Sequence, residues 1–186
     1  LPDRTSVIAA NPRIPIKSKR MHGSLNLMGA RLDDIALSDY RETIKKDSDN
    51  IELLTPSEVK FAYFADFGWS APDGVKVPDS TTLWATTSSL LSEKSPITLT
   101  WNNGAGLVFT RMISVDENFM FTITQKVTNS TNTAVNLVPY GLISRAELPK
   151  LQKFFILHEG LLGVFDGLDE VDYDDLQEDG KVEKKS

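Results

Sequence analysis

Two neighbouring segments alternate apolar and polar side chains residue by residue, and this two-residue period is the feature that most constrains the fold. In the first segment Leu107, Phe109, Arg111, Ile113 and Val115 share one side, and Val108, Thr110, Met112 and Ser114 share the other. The second segment, residues 119–127, repeats the pattern with Phe119, Phe121, Ile123 and Val127. A period of two, rich in β-branched and aromatic residues, predicts strands.

Turn-forming sequences separate these segments from their neighbours. Four of the five residues 102–106 are Asn or Gly, and short polar stretches follow at residues 116–118 and 128–132. The spacing predicts an antiparallel meander of four strands between Ile97 and Ser144. Because no segment of ten residues shows a helical face, the sequence predicts an all-β fold, either a sandwich or an open barrel.

The segment GSLNLMGARLDDIALSDYR, residues 23–41, predicts a strand, a corner at Gly29 and Ala30, and a return strand. Asp33 and Asp34 are adjacent, so in a regular strand their side chains point to opposite faces and do not share a proton. We therefore expect these acids to solvate the turn, with Arg31 close enough to pair with Asp33.

Charge divides the chain into regions. The net charge of -6 is local, because nine acids and three lysines lie between Asp166 and Ser186, whereas residues 1–165 carry 17 basic and 17 acidic residues. A neutral body argues against nucleic acid as a partner. We predict an extended basic arm over residues 1–20, either solvated or in contact with anionic lipid, a β-sandwich over residues 21–173, and a frayed acidic tail over residues 174–186.

Residues with catalytic potential are few. The chain has no cysteine and two histidines, His22 and His158, and it lacks nucleophile-elbow, phosphate-loop and metal-binding motifs. We therefore predict no catalytic, cofactor-binding or metal-binding residue. An aromatic stripe of Phe61, Tyr63, Phe67 and Trp69, together with Trp84, is the candidate groove for a peptide or partner. The alternative is that the stripe belongs to a sandwich core; Trp69 is expected to lie nearest the surface.

Six motifs occur in a collinear order that is similar to a known family. They are MGARLDDIALSDYRET, YFADFGW, TLW, PITLTWNNGAGLVFTRMISVDENFMFTITQKV, YGLISR and FFILHEGLLGV. From Ile14 to Tyr173 the chain resembles the large periplasmic domain of the YidC family of bacterial membrane protein insertases, especially its alphaproteobacterial form.

This resemblance implies an antiparallel β-supersandwich related to galactose mutarotase-like domains. It also implies a non-catalytic module that faces the periplasm, in a multi-pass inner-membrane protein that inserts and folds membrane proteins. The implied partners are nascent inner-membrane proteins and components of the Sec translocon, and the family's domain continues beyond this C-terminus. The alternative function is a sugar-binding or aldose-epimerase-like domain, whose chemistry needs a histidine and a glutamate in one cleft.

Overall fold

The computed structural model describes residues 1–148 and 158–183. The chain forms two compact units, residues 1–146 and residues 147–186, and each is described by itself. In the part of the chain that the structure describes, no helix has the length and apolar character to cross a membrane. Strands predominate, which confirms the predicted all-β class.

The first unit contains one short helix and nine strands. In chain order these are α1 (Arg4–Ala10), β1 (Arg13–Lys17), β2 (Met21–Asn26), β3 (Arg31–Arg41), β4 (Asn50–Leu54), β5 (Tyr63–Ser70), β6 (Ile97–Asn102), β7 (Leu107–Val115), β8 (Phe121–Asn129) and β9 (Val138–Arg145). The second unit contains β10 (Gly160–Val164), β11 (Leu168–Asp172) and α2 (Tyr173–Asp179).

The strands of the first unit form two antiparallel sheets. A six-stranded sheet has the order β1-β2-β3-β5-β9, with β4 also paired to β3, and a three-stranded sheet has the order β6-β7-β8. The predicted meander is therefore correct for three strands and wrong for the fourth. All eight residues of β9 pair with β5 in the other sheet, because the loop after β8 carries the chain across the core.

The core lies between these two sheets. The inward side of β7 supplies Leu107, Phe109, Ile113 and Val115, and β6 supplies Ile97 and Leu99. The six-stranded sheet faces them with Ile14, Ile16, Met21, Leu25, Leu32 and Ile35. The long loop between β5 and β6 adds Trp84 and Leu91, which are 2% and 0% exposed. Alternation along each strand thus places one face of each sheet in a shared apolar layer.

Both predicted chain ends need correction. The residues predicted as an extended basic arm contain α1, capped by the Asp3 carboxylate, and β1, which pairs along its whole length with β2. Ile14 and Ile16 hold β1 in the sheet because both side chains are buried in the core. At the other end, residues 173–179 of the predicted frayed tail form α2, which ends at Gly180 in the left-handed conformation that glycine favours.

The predicted corner between β2 and β3 is confirmed. Gly29 and Ala30 both adopt positive φ, at 74° and 53°, and the two strands they join are antiparallel neighbours. Gly29 also lies against the backbone of the β5–β6 loop, where an added Cβ would come within 3.1 Å of the Ser80 carbonyl oxygen. Glycine is favoured at this position because the backbone has positive φ and because the Ser80 backbone leaves little room for a Cβ atom.

Candidate functional site

The structure separates the five predicted groove residues into two groups. Phe61 precedes β5 and is 56% exposed, and Tyr63 is half-buried at the start of β5. Phe67 is half-buried and packs against the core, whereas Trp69 and Trp84 are 5% and 2% exposed. The expectation that Trp69 lies nearest the surface is wrong, because β5 turns this indole inward against Phe109, with ring centroids 5.0 Å apart.

The aromatic residues of the inner group surround a buried guanidinium. The Cζ atom of Arg111 lies 4.9 Å from the Trp84 ring centroid, 5.9 Å from that of Trp69 and 5.8 Å from that of Phe67. Its Nη1 donates to the Ala30 carbonyl at 2.9 Å, and its Nη2 donates to the Phe67 carbonyl. Arg111 thereby bonds the corner and β5 from the opposite sheet, which gives it a structural role.

The position of Arg111 is visible in the sequence. It occupies an inward place in the alternating segment between Phe109 and Ile113, where an apolar residue is expected. A cation on the apolar side of a strand indicates a buried partner set. The members of that set, which include the Ala30 and Phe67 carbonyls and three aromatic rings, lie far from Arg111 in the sequence: Trp84 precedes it by 27 positions and Phe67 by 44.

A β-bulge brings Asp33 and Asp34 together. Gly23 pairs with Ile35 and Leu25 pairs with Leu32, so Ser24 on β2 faces two residues on β3. Because two residues on the bulged strand oppose one on its partner, the alternation of side chains is interrupted at this point. The prediction that the acids point apart and solvate a turn is therefore wrong, and both are buried, at 1% and 6% exposure.

Hydrogen bonds join the two acids and two arginines into one network. Arg13 donates from Nε to Ser24 Oγ at 2.6 Å and from Nη2 to Asp33. Ser24 Oγ in turn donates to Asp34, whose carboxylate also accepts from Arg4 in α1. Burial raises the pKa of Asp33, and the bond and charge of Arg13 oppose this shift. The predicted partner of Asp33, Arg31, instead pairs with Asp66 at 3.2 Å.

Beside this network, α1, strands β1 to β4 and Asp49 line a cleft of about 490 Å³. His22 and Glu52 both line it, so the first unit does place a histidine and a carboxylate in one cleft. Both groups have other partners, since His22 Nδ1 lies 3.1 Å from Ser38 Oγ and Glu52 pairs with Arg4 at 3.4 Å. The pair between Arg4 and Glu52 links α1 to the sheet. The histidine and the carboxylate that epimerase chemistry would need therefore already have protein partners.

The second histidine lies in the other unit. His158 Nδ1 is 2.8 Å from a carboxylate oxygen of Asp172, at the open end of the β10–β11 hairpin. Within residues 1–148 and 158–183, no group of three His, Asp or Glu side chains has an arrangement that fits a metal ion. The turn after β8 uses its Asn129 side chain to accept from the Thr131 amide at 2.9 Å, as the turn interpretation of that sequence requires.

Comparison with known proteins places these features in a family. The model of the YidC periplasmic domain matches residues 13–186. The chain is 45% identical over 97% of its length to a protein of Beijerinckia indica and 45% identical over 98% of its length to one of Bradyrhizobium diazoefficiens. A protein of a Ruegeria species is 48% identical over 84% of the chain. Each of the three is named membrane protein insertase YidC.

The chain spans about a third of the length of these relatives. The matched share is 31% of the Beijerinckia protein, 30% of the Bradyrhizobium protein and 27% of the Ruegeria protein. The relatives are named for insertion and not for a covalent reaction, in agreement with the prediction of a non-enzymatic module. The predicted resemblance to alphaproteobacterial members is confirmed over nearly the whole chain.

Proposed function

Because this chain belongs to the YidC periplasmic domain family, we propose that it is a non-catalytic module of a membrane protein insertase. The module faces the periplasm from a multi-pass protein of the bacterial inner membrane and assists the insertion and folding of inner-membrane proteins. The observation that supports this proposal most strongly is the match of residues 13–186 to the family model, together with identity above 40% to relatives named as insertases.

The module acts through its surface. The buried charged side chains of Asp33, Asp34 and Arg111 each bond to backbone, to a hydroxyl group or to another charged residue, which suits a rigid scaffold. Of the three candidate groove residues that are not buried, Phe67 packs against the core, so Phe61 and Tyr63 remain to contact a partner. Each lies beside a cation, because Lys60 Nζ is 4.8 Å from the Phe61 ring centroid and Arg145 Cζ is 4.9 Å from that of Tyr63. The partners are nascent membrane proteins and components of the Sec translocon.

The insertion role is tested in cells depleted of their own insertase. A full-length protein that carries this domain should restore insertion of a model inner-membrane substrate, measured by protease protection of the substrate's translocated loop. Failure of the intact protein to restore insertion would overturn the proposal. Insertion that is unchanged after deletion of residues 20–165 would instead identify the domain as a structural spacer.

Partner contact is tested separately by photocrosslinking. A photoreactive phenylalanine analogue at position 61 should form adducts with a substrate or a translocon subunit during insertion. The matched control places the same analogue at Met112, which is 48% exposed on the opposite sheet. Equal adduct yields at both positions would show that residue 61 does not mark a specific contact surface.

Sugar binding is the less favoured function. His22 and Glu52 share a cleft, yet none of the three relatives described above is named as a sugar-binding protein or an epimerase. Saturable heat of binding with galactose or glucose in titration calorimetry, lost in His22→Ala, would restore this alternative.

A further inference from the structure

An apolar groove lies within residues 158–183, between the β10–β11 hairpin and α2. Its volume is about 530 Å³, and we refer to it as the hairpin groove. Its lining consists of Leu161, Leu162, Gly163, Phe165, Asp169, Val171, Leu176, Val182 and Glu183. Several of these apolar side chains are strongly exposed, with Leu161 at 50% and Phe165 at 60%. Exposed leucine and phenylalanine side chains grouped in a concave surface indicate a binding site.

The local sequence builds this groove in a direct way. Leu161 on β10 is paired with Val171 on β11, so the two side chains stand together on one face of the hairpin. Gly163 follows on the same face, and an added Cβ there would lie 2.8 Å from the Phe165 ring. Glycine thus leaves room for the aromatic ring over the strand. Leu176 in α2 forms part of the opposite wall.

The surroundings of the hairpin groove are strongly acidic. Between His158 and Ser186 the chain has ten Asp and Glu residues and three lysines. Two of the acids, Asp169 and Glu183, are part of the lining itself. The lysine nearest in sequence, Lys181, pairs with Glu183 at the edge of the groove. Lys181 offsets the charge of Glu183, but the segment has nine other acids and only two other lysines. The groove therefore combines an apolar floor with a negative electrostatic potential from its surroundings.

This combination selects among the possible occupants. A second copy of the chain would bring another acidic segment against the first, and the surface of an anionic bilayer would be repelled in the same way. A polypeptide that carries leucine or phenylalanine side chains between lysines or arginines satisfies both properties, since its apolar residues fill the floor and its cations face the acidic rim.

We propose that the hairpin groove binds short segments of other polypeptides in which apolar residues alternate with basic ones. This site deepens the proposed function, on which it rests, by naming the chemistry of a partner segment. An extended segment fits best, because alternation in a strand directs its apolar side chains to the floor and leaves its cations outside.

Fluorescence anisotropy of the whole chain, residues 1–186, with three labelled peptides tests the proposal. The first alternates leucine and lysine, the second alternates leucine and glutamate, and the third alternates serine and lysine. Only the leucine–lysine peptide should bind saturably, and its affinity should fall as salt screens the acidic rim. Equal binding of the leucine–glutamate or the serine–lysine peptide would overturn the proposal, as would no binding at all.

Two matched pairs of variants locate the site. Leu161→Ser should weaken binding of the leucine–lysine peptide at least about fivefold, because a partly buried leucine contributes on the order of 1 kcal/mol. Leu168→Ser removes a leucine that is outside the groove lining and is more exposed, at 64% against 50% for Leu161, and it should leave affinity unchanged. Likewise Glu183→Gln should weaken binding, and Glu170→Gln, which alters the net charge equally but lies outside the lining, should not.

The outcome of this experiment is independent of the insertion assay. A chain that binds the leucine–lysine peptide while the full-length protein fails to restore insertion would retain the groove and overturn the insertase role. Equal loss of affinity in Leu161→Ser and Leu168→Ser would place the peptide elsewhere. Binding by residues 1–186 that is abolished in a full-length protein carrying this same domain would show that another part of the protein covers the groove, and this result would also overturn the proposal.

Discussion

Single residues carry charge into the core of the first unit and hold its two sheets together. Arg111 is 1% exposed, and burial lowers its pKa to about 10, so the guanidinium remains charged near neutral pH. Its bonds to the Ala30 and Phe67 carbonyls join β7 to the opposite sheet. The aromatic rings beside it supply the electron-rich faces that a cation without a carboxylate partner needs.

Substitution of Arg111 by alanine should lower the free energy of unfolding by about 3 kcal/mol. The change leaves a cavity and removes the donors of two carbonyls between the sheets. Urea denaturation of the whole chain measures the effect. Met112→Ala is the matched control, because this neighbour is 48% exposed and its truncation should cost less than about 1 kcal/mol. Equal losses for the two variants would contradict the bridging role of Arg111.

Substitution of Arg13 by methionine should destabilise the fold by about 3 kcal/mol at pH 7, because Asp33 then stays buried without its cation. Burial already raises the pKa of Asp33, so this carboxyl opposes folding when pH is above its folded-state pKa and ceases to oppose it below the ordinary value. The Arg13→Met deficit should therefore shrink as pH falls from 7 towards 4. Urea denaturation at several pH values measures this dependence.

Two controls define this effect. Arg13→Met combined with Asp33→Asn should recover most of the lost stability at pH 7, since no carboxylate then remains buried. Arg20→Met breaks a pair with Asp39, whose side chain is 54% exposed, and should cost less than about 1 kcal/mol at every pH. If the loss of unfolding free energy in Arg13→Met does not depend on pH, the loss does not come from an Asp33 carboxylate that is buried without its cation.

At the scale of elements, the bulge between β2 and β3 determines which side chains meet. Gly23 makes it possible, because its φ of 152° lies in a region that residues with a Cβ rarely adopt. A Cβ at this position would also lie 2.0 Å from the Asp34 carbonyl oxygen. The close approach of two backbones here is the reason that Ser24 reaches both Arg13 and Asp34.

Gly23→Ala should therefore destabilise the first unit by about 3 kcal/mol or more, because both the φ angle and the contact with a backbone oxygen must change. Circular dichroism during urea unfolding measures the loss. Gly167→Ala is the control, since an added Cβ at that position has no atom within 4 Å and its effect should stay within about 0.5 kcal/mol. A Gly23→Ala variant as stable as Gly167→Ala would contradict the crowding argument.

The elements that were predicted from sequence are those whose signal is local. Alternation along β7 and β8 and the corner at Gly29 and Ala30 follow from adjacent residues, and all three are confirmed. The pairing of β9 with β5 was missed because the paired residues are 68 or more positions apart in the sequence, beginning with Ser70 and Val138. The bulge was missed because the prediction assumed regular alternation along the strand. A single register shift, which local sequence does not reveal, changes the face to which the following side chains point.

The candidate site shows the same division between local and distant information. The aromatic stripe along β5 was identified, and its core interpretation holds for Trp69, but the alternation gave no sign that Arg111 lies among these rings. The basic residues of the first segment were read as an exposed arm because their partners, Asp33 and Asp34, follow Arg13 by about 20 positions. A charged residue whose partner is distant in the sequence cannot be distinguished, from its neighbours alone, from a charged residue that is exposed to solvent.

At the scale of the whole molecule, the buried apolar core of the described residues belongs to the first unit. Every buried apolar residue lies between Val7 and Val115, and β9 completes the six-stranded sheet by residue 145. The second unit has no buried residue of this kind among those described, and its hairpin leaves leucines exposed. Cooperative stability therefore resides in residues 1–146, and residues 158–183 supply a surface.

A chain that ends at residue 146 should consequently fold alone. Its urea midpoint should lie within about 15% of the value for residues 1–186, because every buried apolar residue among those described lies within it. A chain that ends at residue 115 retains every buried apolar residue but loses β8 and β9, so the central strands β7 and β5 each lose a neighbour, and it should show no cooperative transition. Tryptophan fluorescence reports both transitions, since Trp69 and Trp84 lie in this core. If residues 1–146 unfold without cooperativity while residues 1–186 unfold as one transition, the second unit contributes to the core, and the assignment of stability to the first unit is wrong.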